Sequence, residues 1–433
     1  MEFTTKMAGF ATVVNIATEA ATKAVDKSFD GGGKITLIAD KSGIIALAFG
    51  GRVGAKVSAS DLTIDELGYK WKEDGSVTVN AASLLAALAR FSPEQELVFK
   101  TTTGQDANKL ELIISKQDDA EQHQTLACLA SPVELPKASA TYSKTLQMSR
   151  TDFMYGCNKI FFSIGFESDK QRYLYWIMRA EKDTVRFVSG TGAIFACLEL
   201  SRTDVITATP EKTEFMFHKD HTPVVNRILS LLKNDDIIIK VSDSSQQDVP
   251  YQTVVSSGAC DIVLVGMNAD LTWPDEKKLF EIDYDYKVIT GLKDWMEVGL
   301  GVAATFQDEN KKERHPHIAS LSLDFGQKKA IVHNTDAQRT KCKIDIIDHS
   351  INGTKQVHWK NTESPFLICM SSYLCEIPKH VTEGNVQIEF SAPNKPILAI
   401  YYAGDKVVSG DTIKKDHAGT DEKFSVLFAT LNP

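Results

Sequence analysis

The sequence predicts an α+β chain: three tandem copies of one domain plan, each with antiparallel sheets packed on two helices. Three observations carry that prediction. A strand–helix–strand unit occurs three times, as SVTVNAASLLAALARFSPEQELVFKT from Ser76, EFMFHKDHTPVVNRILSLLKNDDIIIKV from Glu214, and PFLICMSSYLCEIPKHVTEGNVQIEF from Pro365. A shorter strand-to-helix unit also occurs three times, opening at Met1, Thr145 and Leu279. Between them lie alternating or continuously apolar runs broken by turn residues, the mark of antiparallel strands. Recurrence at a fixed order is read before local structure, because it decides the architecture.

In chain order, MEFTTKMAGFATVVNIATEAA gives a short strand and an amphipathic helix. KITLIAD and GIIALAF follow as strands, then the Ser76 unit. TLQMSRTDFMYGCNKIFFSIG starts the second copy, with strands YLYWIMRA and TVRFVSG before the Glu214 unit. LFEIDYDYKVITGLKDWMEVGLG starts the third, with HIASLSLDFG and KAIVHN before the Pro365 unit. The joins fall at LASPVELPKAS and NADLTWPDEKK, both proline-containing stretches between regular patterns. The expected domains are therefore 1–140, 141–278 and 279–433. DENKKERHPH and AGDKVVSGDTIKKDHAGTDEK are polar and expected to be exposed.

The helix of the Glu214 unit sorts its residues by face. Val224, Val225, Ile228, Leu229 and Leu232 fall on one side; Asn226, Arg227, Ser230 and Lys233 fall on the other, with Lys219 near the start. Thr222-Pro223 fits a helix start, where proline is tolerated. The apolar face is expected to cover a sheet.

Composition limits the function. The chain has 433 residues and a formal charge of −9. An acidic total argues against a protein that grips nucleic acid by bulk charge, though not against one with its cations on a single surface. Seven widely spaced cysteines, an odd number with no CxxC, read as thiols in a reducing compartment. No apolar run approaches the ~20 residues of a membrane span, so no membrane partner is expected. The N-terminus lacks the pattern of a signal peptide and reads as mature, folded sequence. The sequon at Asn352-Gly353-Thr354 reads as incidental.

No motif assembles an active site. Gly190-Thr191-Gly192 lacks the third glycine of a dinucleotide loop and reads as a tight turn. Gly31-Gly32-Gly33 and Gly50-Gly51 lack the lysine and hydroxyl of a phosphate loop. His218 and His221 form an HxxH, and His315 and His317 flank a proline, but neither pair has a third ligand nearby. They read as solvated or DNA-facing histidines. Asp283 and Asp285 alternate in a strand-like run and could share one face. That pair reads as part of a solvated sheet face, with acid–base or metal chemistry the alternative. No cofactor and no metal are expected.

The three-copy plan resembles the bacterial DNA polymerase III beta subunit, the sliding clamp. The most specific stretch is Trp273-Pro274-Asp275-Glu276-Lys277-Lys278-Leu279, similar to that family's aromatic-Pro-Asp linker. Arg172-Tyr173-Leu174-Tyr175 and the run Thr184 to Gly192 are similar to its second-domain strands, and Phe424 to Phe428 gives the closing apolar strand. The resemblance covers essentially the whole chain. It implies clamp-type domains forming half of a ring: a head-to-tail homodimer closing around duplex DNA, helices lining the hole and sheets outside. It implies a non-enzymatic processivity factor in the cytoplasm, with duplex DNA, a DNA polymerase and a clamp-loader ATPase as partners.

On that basis the DNA-facing candidates are Lys23, Arg90, Arg150, Lys159, Lys219, Arg227, Lys233, Lys293 and Lys379. For each, a plain solvated role is the competing reading. By position, a partner-peptide pocket would include Tyr175, Gly190, Gly192, Ile194, Phe195, Pro274, Lys278, Leu279, Tyr373, Pro396, Phe428 and Leu431. For these, a core or domain-join role competes. Where the family commonly shows Asp-Gly-His-Arg-Leu, this chain has Thr191-Gly192-Ala193-Ile194-Phe195. The basic side chain is gone and the rim is more apolar, which implies altered partner specificity and fits a divergent, even viral, replication system. Two other readings remain: a clamp-fold accessory or partner decoy that is not a ring, and a metal-dependent hydrolase or nuclease.

Overall fold

The structure is a computed structural model. It describes residues 1–23, 32–64, 66–104, 110–138, 141–165, 171–181, 184–191, 194–201, 206–207, 213–242 and 252–265. Beyond these it describes residues 273, 275, 278, 286–291, 293–294, 319–324, 329–334, 341–351, 366–368, 385–390, 397–402 and 422–428.

The first stretch runs β1 (Glu2–Lys6), α1 (Met7–Thr22), β2 (Lys34–Asp40), β3 (Gly43–Phe49), β4 (Val53–Ala59), β5 (Lys70–Glu73), β6 (Gly75–Asn80), α2 (Ala81–Leu88), β7 (Glu96–Thr103), β8 (Leu110–Lys116) and β9 (His123–Ala127). The second runs β10 (Tyr142–Ser149), α3 (Arg150–Ile160), β11 (Tyr175–Glu181), β12 (Thr184–Gly190), β13 (Ile194–Ser201), β14 (Ile206–Thr207), β15 (Thr213–His218), α4 (His221–Leu231), β16 (Asp236–Ser242), β17 (Gln252–Ser257) and β18 (Cys260–Val265). The third runs β19 (Tyr286–Gly291), β20 (Ala319–Asp324), β21 (Lys329–Asn334), β22 (Lys341–Ile351), β23 (Phe366–Ile368), β24 (Asn385–Phe390), β25 (Ile397–Tyr402) and β26 (Glu422–Phe428).

One strand order recurs. β1-β7-β8-β9, β10-β16-β17-β18 and β19-β24-β25-β26 are neighbours in the same sequence. β6-β2-β3-β4 and β23-β20-β21-β22 share a second pattern, and β11-β12-β13 follow its core. The pairings are antiparallel throughout these runs. Antiparallel sheets can bury one face and solvate the other, which suits the alternating patterns in the sequence.

The chain divides into two compact units. The first comprises Met1–Met154 and Asp204–Leu271; the second comprises Tyr155–Thr203 and Thr272–Pro433. The reason is strand exchange between stretches. Within the first unit β18 pairs with β4, Cys260 opposite Val57 and Leu264 opposite Val53. Within the second, β26 pairs with β13, Phe428 opposite Ile194 and Phe424 opposite Leu198.

The first unit is packed around aromatic rings. Phe3 and Phe99 stack at 4.9 Å, and Phe10 meets Phe99 at 4.4 Å. All three are fully buried, each contributing about 1.5–3 kcal/mol of burial. α1 places Phe10, Val13, Val14, Ile16, Ala17, Ala20 and Ala21 inward, onto β2–β4 and against α2. The α2 cap is Asn80, whose Oδ1 accepts from the Ser83 N–H at 3.0 Å. Gly258 turns the β17–β18 hairpin at φ 51°, a conformation that favours glycine.

The wheel of α4 is as the sequence reads it: Val224, Val225, Ile228, Leu229 and Leu232 are buried, while Arg227, Ser230 and Lys233 are exposed. The helix covers a strand, as expected, and a second helix besides. α4 packs on α1 as well as on β15, because β18–β4 pairing draws the two helical layers together. His218 and His221 depart from expectation. They are buried, 9% and 2% exposed, not solvated. Among the described residues no helix is long and apolar enough to cross a membrane.

Candidate nucleic-acid interface and partner cleft

The four described helices sort their charges. Exposed positions on α1 and its end are Asn15, Thr22 and Lys23; on α2 and just after it, Ala82, Ser83, Ala86, Ala89 and Arg90. On α3 they are Thr151, Tyr155 and Asn158; on α4 and its end, Pro223, Arg227, Ser230 and Lys233. No exposed carboxylate stands at these positions, although the chain carries −9 overall. Such faces repel a polyanion least.

The candidate cations differ in exposure. Lys23, Arg90, Lys233 and Lys293 are exposed and Lys219 is half-buried. Arg150 is turned inward: its guanidinium donates to the Leu229 carbonyl at 2.9 Å, and Nε lies 3.8 Å from Asp235 Oδ1. Arg227 reaches solvent but pairs with Glu19 at 3.7 Å. Lys159 is buried at 9% exposure. Its Nζ donates to the Tyr155 hydroxyl at 2.8 Å and sits 4.9 Å and 5.6 Å from the centres of the Tyr155 and Phe424 rings. An ammonium enclosed by π faces is stabilised there. Lys379 lies outside the described residues.

The pocket candidates are placed in part. Gly190 and Phe195 are opposite each other across β12 and β13. A Cβ on Gly190 would stand 2.2 Å from Phe195 Cδ1, so only glycine leaves room for that ring. Thr191 N–H donates to the Ile194 carbonyl at 2.7 Å. Ile194 and Tyr175 are buried, Phe195 is half-buried and Lys278 is exposed. The Phe428 backbone pairs with both Ile194 and Ile397. Gly192, Pro274, Leu279, Tyr373, Pro396 and Leu431 lie outside the described residues.

Two further aromatic residues, not among the pocket candidates, stand in a row with Phe195. Tyr173 lies edge-on to Phe195 and to Trp273, each at 6.0 Å between ring centres. Arg172 covers the Tyr173 ring at 5.0 Å. Both aromatics stand in quoted motifs, beside Tyr175 and Pro274. The arrangement is a row of rings with a cation at one end, suited to apolar side chains.

Among the described residues, no group of three or more His, Cys, Asp and Glu could hold a metal. Asp283, Asp285, His315 and His317 lie outside them. Cys128, Cys157, Cys197 and Cys260 are free thiols. Burial pushes the Cys157 and Cys260 thiols well up and Cys128 to about 11, which suppresses the reactive thiolate.

The fold is that of DNA sliding clamps. The chain matches the DNA polymerase III subunit beta of Pseudomonas aeruginosa with a TM-score of 0.73 and 11% identity, covering 100% of both chains. It matches the DNA polymerase sliding clamp of Bacillus subtilis at 0.73 and 10%, covering 100% of this chain and 99% of that one. It matches the DNA polymerase III beta subunit of Thermotoga maritima at 0.70 and 12%, again over 100% and 99%. No protein-family model and no curated protein matches the sequence. The likeness is of fold and extends along the full length of the chain.

Proposed function

We propose that this protein is a DNA sliding clamp, a non-enzymatic processivity factor that encircles duplex DNA and tethers a polymerase. The observation that carries this reading is the charge sorting: in an acidic chain, the exposed positions of the four described helices carry no carboxylate, Glu19 and Asp152 being half-buried. Encirclement needs only weak, sequence-independent phosphate contacts, so a few exposed cations suffice and sliding is permitted. In this reading the chain is three domains, 1–140, 141–278 and 279–433, with Lys23, Arg90, Lys219, Lys233 and Lys293 toward DNA.

The strand edges support a head-to-tail homodimer. β18 completes β4 and β26 completes β13, in each case a last strand on a fourth-position strand. One such pair is left over. β9 pairs only with β8 among the described residues, and residues 341–345 of β22 pair only with β21. Joining β9 of one protomer to β22 of its partner, twice, would close a ring and cover two edges that otherwise invite aggregation. A closed ring then requires an ATP-driven loader. The cleft at Tyr173, Phe195 and Trp273 would dock a short hydrophobic motif of the polymerase. Replication would place the protein in the cytoplasm.

Retention on circular plasmid tests the reading. Protein loaded on a closed circle should stay through a sizing column and be lost when the plasmid is cut. Equal retention on circle and linear DNA would reject encirclement. A second reading, a clamp fold that does not close, is favoured by the inward turn of Arg150 and the burial of Lys159. Solution mass separates the two, because a monomer is 47.8 kDa and a ring is twice that.

A further inference from the structure

The corner between β15 and α4 holds a second arrangement of charge, unrelated to the helix faces. His218 ends β15, Asp220 stands at the cap position of α4, and His221 is its first residue. Arg52 reaches the corner from the β3–β4 turn and puts Nη1 3.3 Å from Asp220 Oδ2. This ion pair ties the first sequence copy to the second. His218 Nδ1 accepts from the Asp220 N–H at 3.2 Å and also lies 3.5 Å from Asp220 Oδ2. The Asp220 carboxylate therefore has two cation candidates, one from each copy.

We propose that His218 is a proton-operated selector that decides whether Asp220 holds Arg52. Neutral His218 can accept the Asp220 N–H only because Nδ1 carries a lone pair. Protonation replaces that lone pair with a donor. The amide bond is lost, and the new N–H is 3.5 Å from Asp220 Oδ2. Asp220 then pairs within its own copy, and Arg52 is released. Acid thereby loosens the hold of the β3–β4 turn on the β15–α4 corner.

The neighbouring groups direct the proton to His218. Among the described residues, the charged and titratable groups at the corner include Arg52, Asp220 and His221, with half-buried Lys219 between the histidines. The two imidazole rings are 5.5 Å apart. Burial holds His221 neutral, its pKa down at about 3, and His218 and Arg52 add to that effect. His221 Nδ1 is buried without a hydrogen-bond partner, so no acceptor stands at that nitrogen to welcome a proton. His218 has one, in Asp220. Two backbone bonds report on the corner: Gly50 N–H to the Val53 carbonyl at 2.9 Å and Val265 N–H to the Arg52 carbonyl at 2.8 Å.

The test follows the full chain by NMR, with labelled histidine and arginine, between about pH 7.5 and about pH 5.5. The His218 ring and Arg52 Nε signals should titrate with one midpoint, and Val265 amide exchange, corrected for its intrinsic pH dependence, should rise several-fold at acid pH. In His218→Asn, whose side-chain oxygen still accepts the Asp220 N–H, Arg52 and Val265 should become insensitive to pH. An Arg52 signal that stays flat while His218 titrates overturns the proposal. So does an unchanged acid response in the variant. If the variant does not fold, the shared midpoint in the native chain decides.

Discussion

Arg227 Nε lies 3.7 Å from Glu19 Oε1, so a cation on the exposed face of α4 is shared with a carboxylate on α1. The arginine side chain is 62% exposed and the glutamate 24%. The pair offers little stability, about 0–1 kcal/mol at such exposure. Its larger effect is on charge, because it neutralises one of the few cations on the helix faces. Glu19→Gln should leave the melting temperature nearly unchanged and tighten duplex binding. The slope of log affinity against log salt should steepen by about one unit. Fluorescence anisotropy with duplex DNA over a salt series measures this.

The burial of Lys159 separates it from the other cations. Lys23→Ala, Arg90→Ala and Lys233→Ala should each weaken duplex binding and reduce the salt slope by about one. Lys159→Met should leave the slope unchanged, since its ammonium is enclosed by Tyr155 and Phe424. The same anisotropy series checks it. A slope that falls in Lys159→Met would place that side chain on DNA.

Acid should destabilise the fold through His221. Its folded pKa, about 3, lies below the ordinary value of 6.5. The unfolded chain therefore takes up a proton that the folded chain refuses. The stabilising contribution is complete above about pH 6.5 and is lost as pH falls toward 3, by at most about 1.4 kcal/mol per pH unit. Urea midpoints at several pH values should fall on acidification, and the fall should be shallower in His221→Phe.

Phe99 joins Phe3 and Phe10 in one cluster, so its removal should be felt by the whole first unit. Phe99→Ala is expected to cost about 3–5 kcal/mol. Calorimetry should show a lower transition temperature.

Gly190 fixes the Phe195 ring by leaving it space. Gly190→Ala places a Cβ 2.2 Å from Cδ1 of that ring and forces it to move. The cost is about 1–3 kcal/mol. A hydrophobic peptide that docks at the cleft should bind more weakly to this variant, with titration calorimetry as the measure. Unchanged binding would put the peptide elsewhere.

Much of the fold was legible in the sequence because burial follows period. The apolar side of α4 could be named residue by residue, since 3.6-residue spacing leaves one solution. What α4 packs against could not. A wheel shows that a face is covered but not by what, and β18–β4 pairing brought α1 there. The HxxH was misread for a related reason. Histidine is intermediate in burial preference, and only the tertiary packing of the corner removed the pair from solvent.

The sequence by itself determined the recurring strand pattern, the helices α1 to α4 of the first two copies, and the sorting of apolar from polar faces on α4. These depend on local period, and local period is written in the chain. The helices expected in the third copy lie outside the described residues. Tertiary structure alone decided which cations remain at the surface: Lys23, Arg90 and Lys233 stay exposed, Arg150 and Arg227 engage Asp235 and Glu19, and Lys159 is enclosed. A charge's availability depends on what lies within a few ångströms of it, and strand pairing between distant segments sets those neighbours.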